Sequence, residues 1–509
     1  MLHILEAIRD GNIMHYRSTK LIAATCFSCL LLWFGLSLNR AISPQPSPVK
    51  IPAAQSPNPN DEQPAYTPAP GQLMGHDGIV NITSPQIQMA KVRLTVSQSD
   101  MPPLPLMQSL DIKLPASREI TITDDPLDPA TAQPKEASTN LKIPRIPHTQ
   151  PDASAFIFGL ATTYERLEAS LDTIAYWASH SNAKIIGSMQ PSLDLDAPDR
   201  VLKKAQLLSV PLGTVESGLE FLDRYFTLLK VLYENRTPTT KWYVFIDDDT
   251  FFLSLSNLVS TFQKYDPSLP WYIGALTEDF NQMAIWGYMA YGGGGIFLSH
   301  SLVETLLPFY RKCFEFRNTG DRMLAQCIYK HTNVKLTWEH NLHQLDLHGD
   351  QSAFYEALRP QPLTLHHWKS EDFQSIIDVY NMSRVASVCG QSCVLQKFRF
   401  ANDWVLTNGF SIVKYSHRDA GYRDLGTDIS MERTWDFYGG TGMQHFEHSL
   451  GPLRKMDERG KLSFRIESAV VEDGGRRVRQ LYVKRRRREG EYPGHGEVEG
   501  VIEVEWRQA

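Results

Sequence analysis

The chain has 509 residues, which is enough for one large domain with additional segments. Its formal net charge is −6 at pH 7, so no basic surface dominates and nucleic acid is not the expected partner. A local basic tract at residues 484–488 is interpreted as the solvated end of a hairpin, with a nuclear or polyanion-binding signal as the alternative.

An uncharged apolar segment occupies residues 21–38, after Arg9, Arg17 and Lys20. Its length is marginal for a membrane span and long for the core of a cleaved signal peptide. The preceding positive charges place the N-terminus in the cytosol by the positive-inside rule. The sequence therefore predicts a cytosolic tail over residues 1–20 and an uncleaved signal anchor over residues 21–38. A cleaved signal peptide is the alternative, and in either case the rest of the chain would be luminal.

Residues 39–150 are predicted to form a proline-rich stem that holds a globular domain away from a membrane. Nine prolines fall between residues 41 and 70, with Ser, Gln and Asn between them. This composition cannot bury a core, so the segment is expected to be extended and partly polyproline II. A short strand near residues 92–96 is compatible with the catalytic unit, but its place in the fold stays open.

Cysteine use agrees with a luminal domain. Outside the apolar span the cysteines are Cys313, Cys327, Cys389 and Cys393, and four cysteines allow three pairings. We favour Cys313–Cys327 and Cys389–Cys393, because both pairs close short loops. A structural zinc site is the alternative, although no Cys-x₂-Cys pair lies outside the span. Three N-glycosylation acceptors begin at Asn81, Asn235 and Asn381.

Strands and helices alternate from about residue 155 onward. Apolar runs at 155–160, 184–187 and 242–246 predict strands, and helical spacing at 166–180 and 219–233 predicts helices between them. This alternation predicts an α/β domain over residues 151–400 with a largely parallel sheet, and a small β-rich extension over residues 401–509. Further predictions are strands at 271–274 and 296–299, helices at 258–265, 301–309 and 320–329, and C-terminal strands at 463–470, 480–484 and 498–504.

Three consecutive aspartates, Asp247, Asp248 and Asp249, follow the predicted strand at residues 242–246. Open α/β sheets bind ligands at the carboxyl ends of their strands. Adjacent carboxylates repel one another and need a cation or hydrogen-bond donors. Their oxygens suit Mg²⁺ or Mn²⁺, and such an ion would in turn hold a diphosphate. The alternative is an acidic turn after a strand.

A glycine run and one further carboxylate follow the triplet. Glycines 292–295 lead directly into the predicted strand at 296–299, which favours a ligand-facing loop over a merely flexible one. Asp321 lies at the start of a predicted helix soon afterwards. A carboxylate there is a candidate for the base that deprotonates an acceptor hydroxyl. Its alternative role is that of a helix N-cap.

Five segments, in this order, resemble the Fringe-like glycosyltransferases of family 31, in the branch with many plant and fungal members of unassigned substrate. They read WYVFIDDDTFF, YGGGGIFLSHSL, TGDRMLAQCIYK, LHQLDLHGDQSAFYEAL and PLTLHHWK. The resemblance covers about residues 150–400. It implies a GT-A fold, which is a Rossmann-related mixed sheet flanked by helices, and a type II Golgi membrane topology. It also implies a UDP-sugar donor, Mn²⁺ and an inverting mechanism that forms β-linkages, often β1,3.

The resemblance assigns acidic and histidine roles residue by residue. Asp249 is the expected metal ligand, supported by Asp247, while Asp247 and Asp248 would lie nearer the ribose and the diphosphate. Asp321 is the expected catalytic base, although the acidic pair usual in Fringe is here Gly320-Asp321. His366 resembles the late metal-binding histidine of several members. Fringe itself carries its histidine earlier, so the remaining rivals are His343 and His348.

The resemblance also assigns the donor-binding side. Thr162, Thr163 and Arg166 match the nucleotide side of the family, and Gly293 and Gly294 match the loop beside the donor. If Asp321 is not the base, the next candidates in the sequence are Asp346 and Asp350.

The predicted function is an inverting, Mn²⁺-dependent hexosyl- or N-acetylhexosaminyltransferase in the Golgi lumen. It would move a sugar from a UDP-sugar to a glycan or glycoprotein hydroxyl, with a β1,3 linkage expected. The alternatives are a luminal glycan-binding protein that keeps the fold without turnover, and a metal-dependent phosphohydrolase. A binding protein needs no base, and a phosphohydrolase would normally need more clustered ligands for two metals. The donor sugar, the acceptor, the linkage, the role of the C-terminal extension and the oligomeric state stay open.

Overall fold

The computed structural model describes residues 72–73, 80–81, 86–121, 135–147, 149–369, 377–415, 431–435, 450–454, 461–485 and 499–509. These residues belong to one compact unit, Thr67–Ala509. The predicted cytosolic tail, the apolar segment at 21–38 and the proline-rich residues 41–70 lie outside the described residues. Among the helices that are described, none combines the length and the apolar character that crossing a membrane requires.

The elements are numbered here in chain order. The strands are β1 (Gln72–Leu73), β2 (Val80–Asn81), β3 (Gln86–Ser99), β4 (Met107–Ser109), β5 (Arg118–Thr121), β6 (Lys135–Pro144), β7 (Phe156–Thr162), β8 (Lys184–Met189), β9 (Leu212–Glu216), β10 (Trp242–Phe245), β11 (Phe251–Phe252), β12 (Tyr272–Gly274), β13 (Ile296–Ser299), β14 (Leu336–Trp338), β15 (Thr364–Leu365), β16 (Lys397–Arg399), β17 (Val405–Thr407), β18 (Ser411–Tyr415), β19 (Met431–Glu432), β20 (Leu453–Arg454), β21 (Lys461–Glu472), β22 (Arg477–Lys484) and β23 (Gly500–Gln508). The α-helices are α1 (Tyr164–Ala178), α2 (Ala197–Leu207), α3 (Phe221–Glu234), α4 (Leu255–Phe262), α5 (Phe280–Trp286), α6 (His300–Leu306), α7 (Gly320–His331), α8 (Ser352–Glu356), α9 (Val379–Ser383) and α10 (Ala386–Cys389).

A seven-stranded mixed sheet runs through the middle of the α/β part, in the order β14-β12-β13-β10-β7-β8-β9. All neighbouring pairs are parallel except those of β13, which runs antiparallel to both β10 and β12. The predicted α/β class with a mixed, largely parallel sheet is therefore confirmed. The triplet of aspartates follows β10, which lies between β7 and β13 near the middle of the sheet.

Both faces of this sheet are covered, because alternate residues of a strand point to opposite faces. In β7, Phe156, Phe158 and Leu160 pack in the cluster that contains the apolar face of α1. Ile157 and Ala161, between them in the sequence, pack in the other cluster, with the apolar residues of α3. The helix predicted at residues 166–180 is present as α1, and the apolar residues at helical spacing along it are buried: Leu167, Leu171, Ile174 and Trp177.

A second sheet joins the C-terminal strands to strands from the predicted stem. Its order is β4-β16-β17-β18-β21-β22-β23-β3-β5, with β6 also paired to β3. The long strand β3 runs parallel to β23 and to β6. The predicted stem at residues 39–150 is therefore wrong for β3 and β6, which belong to a folded sheet. Burial alternates along β3, but one of its two long partners, β23, lies at the opposite end of the chain, so local pattern could not place it in the sheet.

The sequence pattern also missed helix α2 and the edge strand β9, which lie between β8 and α3. Both predicted disulfides are confirmed, Cys313–Cys327 and Cys389–Cys393. The first disulfide ties helix α7, which carries Asp321, to the short 3₁₀ helix Lys312–Phe316 that precedes it. The expected hairpin end at residues 484–488 is described only for its first two residues, and Arg485 pairs there with Glu467.

Candidate functional site

The aspartate triplet forms the turn that follows β10, at the carboxyl end of the parallel strands. The side chain of Thr250 stabilises this turn through two hydrogen bonds. Its hydroxyl accepts a hydrogen bond from the Asp247 amide at 2.9 Å and donates one to the carbonyl of Gly293 at 2.9 Å. The triplet and the glycine run are therefore held together through one buried threonine.

Asp248 is buried, as is Asp249, and both oxygens of Asp248 are engaged. Arg166 donates to them in a bidentate arrangement at 2.7 and 2.6 Å, and the hydroxyl of Thr162 donates to Oδ2. Thr163 caps helix α1 by accepting from the Arg166 amide at 3.3 Å. The predicted nucleotide-side residues thus gather at the triplet, but they do so through Asp248 and a helix cap. Direct contact of these side chains with a nucleotide stays a prediction.

Asp249 and Asp247 converge on His366. The Nε2 atom of His366 lies 3.1 Å from Asp249 Oδ1 and 3.4 Å from Asp247 Oδ2. Its Nδ1 atom lies 3.0 Å from the carbonyl oxygen of Gln344, so Nδ1 carries a hydrogen and donates it. This contact orients the ring and directs Nε2 at the carboxylates, as outer hydrogen bonds do for metal-binding histidines.

The donor set fits a divalent cation. Among the described residues, Asp249, His366 and His367 offer ligand atoms that lie within 4.8 Å of one another. Carboxylate oxygen together with imidazole nitrogen is compatible with Mn²⁺. Burial opposes ionisation of Asp249, but the charge of His366 holds the pKa of this carboxyl below its usual range. Burial likewise opposes protonation of His366, but Asp249 and Asp247 raise the pKa of the imidazole well above its usual value. The cluster therefore attracts a positive charge.

The rival histidines are placed differently. His343 is fully buried, with Nδ1 at 2.9 Å from Glu278 and Nε2 at 2.7 Å from Arg359. Because both ring nitrogens are engaged there, His343 is not available as a ligand beside the triplet. His348 is not part of the Asp249 cluster either.

Glu278, the partner of His343, is a buried carboxyl group that the sequence pattern missed. Burial raises its pKa to about 8.

Asp321 lies in the first turn of α7 and is not its N-cap, so the N-cap alternative is wrong: Thr319 occupies that position. Oδ1 of Asp321 accepts from the Thr319 hydroxyl at 2.8 Å and from the Arg322 amide at 2.7 Å. Within the described residues, Oδ2 has only a long contact, 3.4 Å, from the Gly292 amide. Burial, and after it the nearby charge of Asp247, raise the pKa of Asp321 above its usual value. A carboxylate with one loosely held oxygen and a raised pKa suits a general base.

One cavity of ≈ 300 Å³ connects the triplet with Asp321. Its polar wall includes Asp247, Asp321, Asp346 and His367. Asp346 accepts hydrogen bonds from Thr277 and from His367, whereas Asp350 is not among the lining residues. The remaining lining residues are Phe221, Leu222, Tyr225, Gln282, Trp286, Met289, Tyr291, Gly292, Thr319, Gly320 and Gln344. A mixed polar and aromatic cavity of this kind suits a small polar ligand with apolar faces.

The two predicted loop glycines are needed for space. A methyl group on Gly293 would come within 2.1 Å of the His366 ring, and one on Gly294 would meet the Ala275 side chain at 2.8 Å. The Gly294 amide also donates to the side-chain oxygen of Gln344 at 2.9 Å. These glycines therefore allow the loop to lie directly against the candidate metal cluster. No nucleotide contact follows from this alone, and that part of their predicted role stays a prediction.

A family model described as Fringe-like matches residues 196–383. The chain therefore carries a Fringe-like domain. The matched range contains the triplet, the glycine run, Asp321 and His366, and the resemblance on which their predicted roles depend is confirmed. Thr162, Thr163 and Arg166 lie before it.

A human beta-1,3-glucosyltransferase is 30% identical to the chain over 127 residues, which is 24% of each of the two proteins. The match thus spans about a quarter of that relative. Among solved structures, the glycosyltransferase GlyE of Streptococcus pneumoniae TIGR4 is similar with a TM-score of 0.28 and 14% identity, covering 44% of this chain and 56% of that one. The mannosyltransferase PcManGT of Pyrobaculum calidifontis, solved with GDP-Man and Mn²⁺, has a TM-score of 0.24 and 15% identity, covering 38% and 58%.

Proposed function

We propose that the Fringe-like domain is an inverting, metal-dependent glycosyltransferase that moves a sugar from a UDP-sugar to a hydroxyl of a glycan or glycoprotein. The observation that carries the proposal is one cavity whose lining includes both Asp321 and Asp247, and Asp247 lies beside the candidate metal ligand His366. A hexose or N-acetylhexosamine as the transferred sugar and a β1,3 linkage are part of the same proposal. They are supported by the Fringe-like match and by the human relative.

The metal cluster would serve the leaving group. Asp249, His366 and His367 offer the ligand atoms that would hold the ion. Asp247, with Oδ2 at 3.4 Å from His366 Nε2, would support them on the cavity side. A bound Mn²⁺ would supply positive charge to the diphosphate of the donor. Arg166 and Thr162 hold the central carboxylate of the triplet in place, so that the neighbouring carboxylates keep their direction.

Asp321 would serve the acceptor. Its loosely held Oδ2 accepts the proton of the attacking hydroxyl while that oxygen forms the bond to the anomeric carbon. The bond from the anomeric carbon to the UDP oxygen breaks on the opposite face, so the configuration at this carbon is inverted. The raised pKa makes the carboxylate a stronger base than an exposed aspartate.

Two alternatives make different predictions. A glycan-binding protein would keep the cavity without needing a buried carboxylate of raised pKa beside the metal cluster. A phosphohydrolase would split the diphosphate of the UDP-sugar with water and release UMP and a sugar 1-phosphate. The decisive experiment incubates the purified chain with Mn²⁺ and a panel of UDP-sugars, with and without glycan acceptors, and follows free UDP, sugar product, UMP and sugar 1-phosphate. Sugar transfer supports the proposal, binding without turnover contradicts it in favour of a binding protein, and release of UMP with sugar 1-phosphate favours the hydrolase.

We further propose a single-pass type II location in the Golgi membrane, with the Fringe-like domain in the lumen. The apolar segment at 21–38, the positive charges before it and the proline-rich residues after it support this topology. The two disulfides agree with an oxidising compartment. In sealed microsomes the C-terminal domain should resist added protease until detergent is present. Digestion without detergent would contradict the topology.

A further inference from the structure

Tyr225 carries a buried hydroxyl that the proposed mechanism does not use. The residue lies on α3 and is 3% exposed. Within the described part of the chain its hydroxyl has no hydrogen-bond partner. Buried hydroxyl groups nearly always have a partner, so the partner of this one is expected to come from outside the chain, and Tyr225 lines the cavity in which a bound molecule would lie.

Two glycines bring this ring to the cavity. A methyl group on Gly320 would lie 2.6 Å from the Tyr225 ring, and one on Gly292 would lie 2.4 Å from its hydroxyl oxygen. Gly292 is also the residue whose amide points to Oδ2 of Asp321. The Tyr225 hydroxyl therefore lies where the glycine run meets the start of α7, next to the candidate base.

The charges around Tyr225 define what it can bind. Burial, and after it the charges of Asp247 and Asp321, raise the pKa of the phenol well above its usual value, so the hydroxyl keeps its hydrogen. A ligand group at this position meets a phenol that can donate and carboxylates that accept. An ammonium group could not accept from the phenol, and an anion would be repelled by the carboxylates. An alcohol hydroxyl can do both, because it donates one hydrogen bond and accepts others.

We propose that Tyr225 donates a hydrogen bond to a hydroxyl of the sugar that enters this cavity and so holds the sugar against Asp321. The inference rests on the proposed function, since it names a contact within the same site. Either the transferred sugar or the acceptor sugar can supply this hydroxyl. Such a contact would also select the substrate, because a site built to pair with a hydroxyl rejects the analogue that lacks it.

The test compares Tyr225→Phe with Tyr355→Phe. Tyr355 is also buried, 1% exposed, and its hydroxyl is likewise without a partner within the described residues, but it does not line the cavity. Tyr225→Phe should lower kcat/KM about 10-fold or more, in line with the loss of one well-placed hydrogen bond. Tyr355→Phe should keep the wild-type value. Both variants should keep the wild-type urea midpoint and the wild-type affinity for UDP itself.

Deoxy sugars identify the partner hydroxyl. Wild-type protein should have a lower kcat/KM for one deoxy analogue, of the donor or of the acceptor, than for the parent sugar. Tyr225→Phe should lose the difference for that analogue and keep the differences for the others. A weaker affinity for UDP-sugar with an unchanged affinity for UDP assigns the contact to the donor, and a raised acceptor KM assigns it to the acceptor. Equal affinities and kinetics of Tyr225→Phe and wild type for every sugar would overturn the inference. Absence of transfer by wild type would instead overturn the proposed function, and the ratio of UDP-sugar to UDP affinity would still decide the role of Tyr225.

Discussion

The ring of His366 lies directly over Gly293, so closely that a methyl group there would come within 2.1–2.3 Å of three ring atoms. The contact depends on strand register. His366 follows β15, which pairs antiparallel with β11 just after the triplet, with Phe251 opposite Leu365. The small two-stranded sheet thereby carries His366 to Asp249 and against the glycine run. Residue 293 must therefore lack a side chain for His366 to lie beside Asp249 in the candidate metal site.

Gly293→Ala is expected to weaken Mn²⁺ binding strongly while the protein stays folded. The added methyl group forces the His366 ring away from Asp249, and changes in the groups that position a metal ligand typically lower metal affinity by about 10–100-fold. The measurement is calorimetric titration of Mn²⁺ in the presence of UDP. Gly218→Ala is the matched control, because a methyl group at Gly218 meets nothing within 4 Å. Equal Mn²⁺ affinity of the two variants would contradict the placement of His366.

Asp249→Asn is expected to abolish Mn²⁺-dependent UDP binding. The amide keeps the shape of the side chain but removes the negative charge that lies 3.1 Å from His366 Nε2. UDP affinity should be measured with and without Mn²⁺, together with the circular dichroism spectrum as a check of folding. Asp199→Asn, an exposed aspartate in the first turn of α2, is the control and should bind as wild type does. A wild-type Mn²⁺ effect in Asp249→Asn would remove Asp249 from the cluster.

Arg166→Ala tests whether the pair with Asp248 is mainly structural. The substitution removes both charge-assisted hydrogen bonds from a carboxylate whose side chain is 3% exposed. We expect the free energy of unfolding in urea to fall by about 1–3 kcal/mol, the usual penalty for an unsatisfied buried group. Arg200→Ala is the comparison, because its pair with Asp194 is exposed on both sides, is screened by solvent and should contribute little to stability. If stability is unchanged while UDP affinity drops, Arg166 contacts the nucleotide directly.

The local sequence pattern was sufficient to predict the positions of most strands and helices in the α/β part. The strand before the triplet, the buried face of α1 and the start of α7 each follow from apolar spacing within a few residues. The same reasoning could not join β3 to β23, because their pairing connects opposite ends of the chain. It also missed β9, a short strand at the edge of the sheet, where burial is incomplete and the alternation is weak.

The residues of the candidate site also fall into those that the sequence could predict and those that only the tertiary structure shows. The triplet and Asp321 could be found from sequence, because carboxylates stand out after an apolar strand or at a helix start. The choice between His366 and His343 could not be made, since both follow apolar residues and only the tertiary fold shows that Glu278 and Arg359 engage His343. Tyr225 gave no signal, because an aromatic residue at helical spacing resembles an ordinary core residue, and its unpaired hydroxyl is visible only in the folded cavity.

Asp321→Asn is expected to lower kcat by about 100-fold or more, the usual contribution of a general base. The amide cannot take the acceptor proton, whereas donor binding depends on the metal cluster and should change little. Helix α7 should persist, because its N-cap is Thr319 and the side-chain oxygen of Asn can still accept from the Arg322 amide. The measurements are steady-state transfer kinetics and UDP-sugar affinity. Asp350→Asn, outside the cavity lining, is the control, and near-wild-type transfer by Asp321→Asn would direct the search to Asp346.

The raised pKa of Asp321 gives a further expectation for the wild-type enzyme. A general base must be ionised to act, so transfer is present above the pKa of Asp321 and is lost as the pH falls through it. Because burial and the charge of Asp247 raise this pKa, the acid limb of kcat should lie at higher pH than that of an ordinary aspartate. The residual rate of Asp321→Asn should lack this limb. The profile should be measured at saturating Mn²⁺ and UDP-sugar, so that loss of donor binding at low pH does not imitate loss of the base. The same acid limb in both proteins would show that another group titrates, and Asp321 would then not be the base.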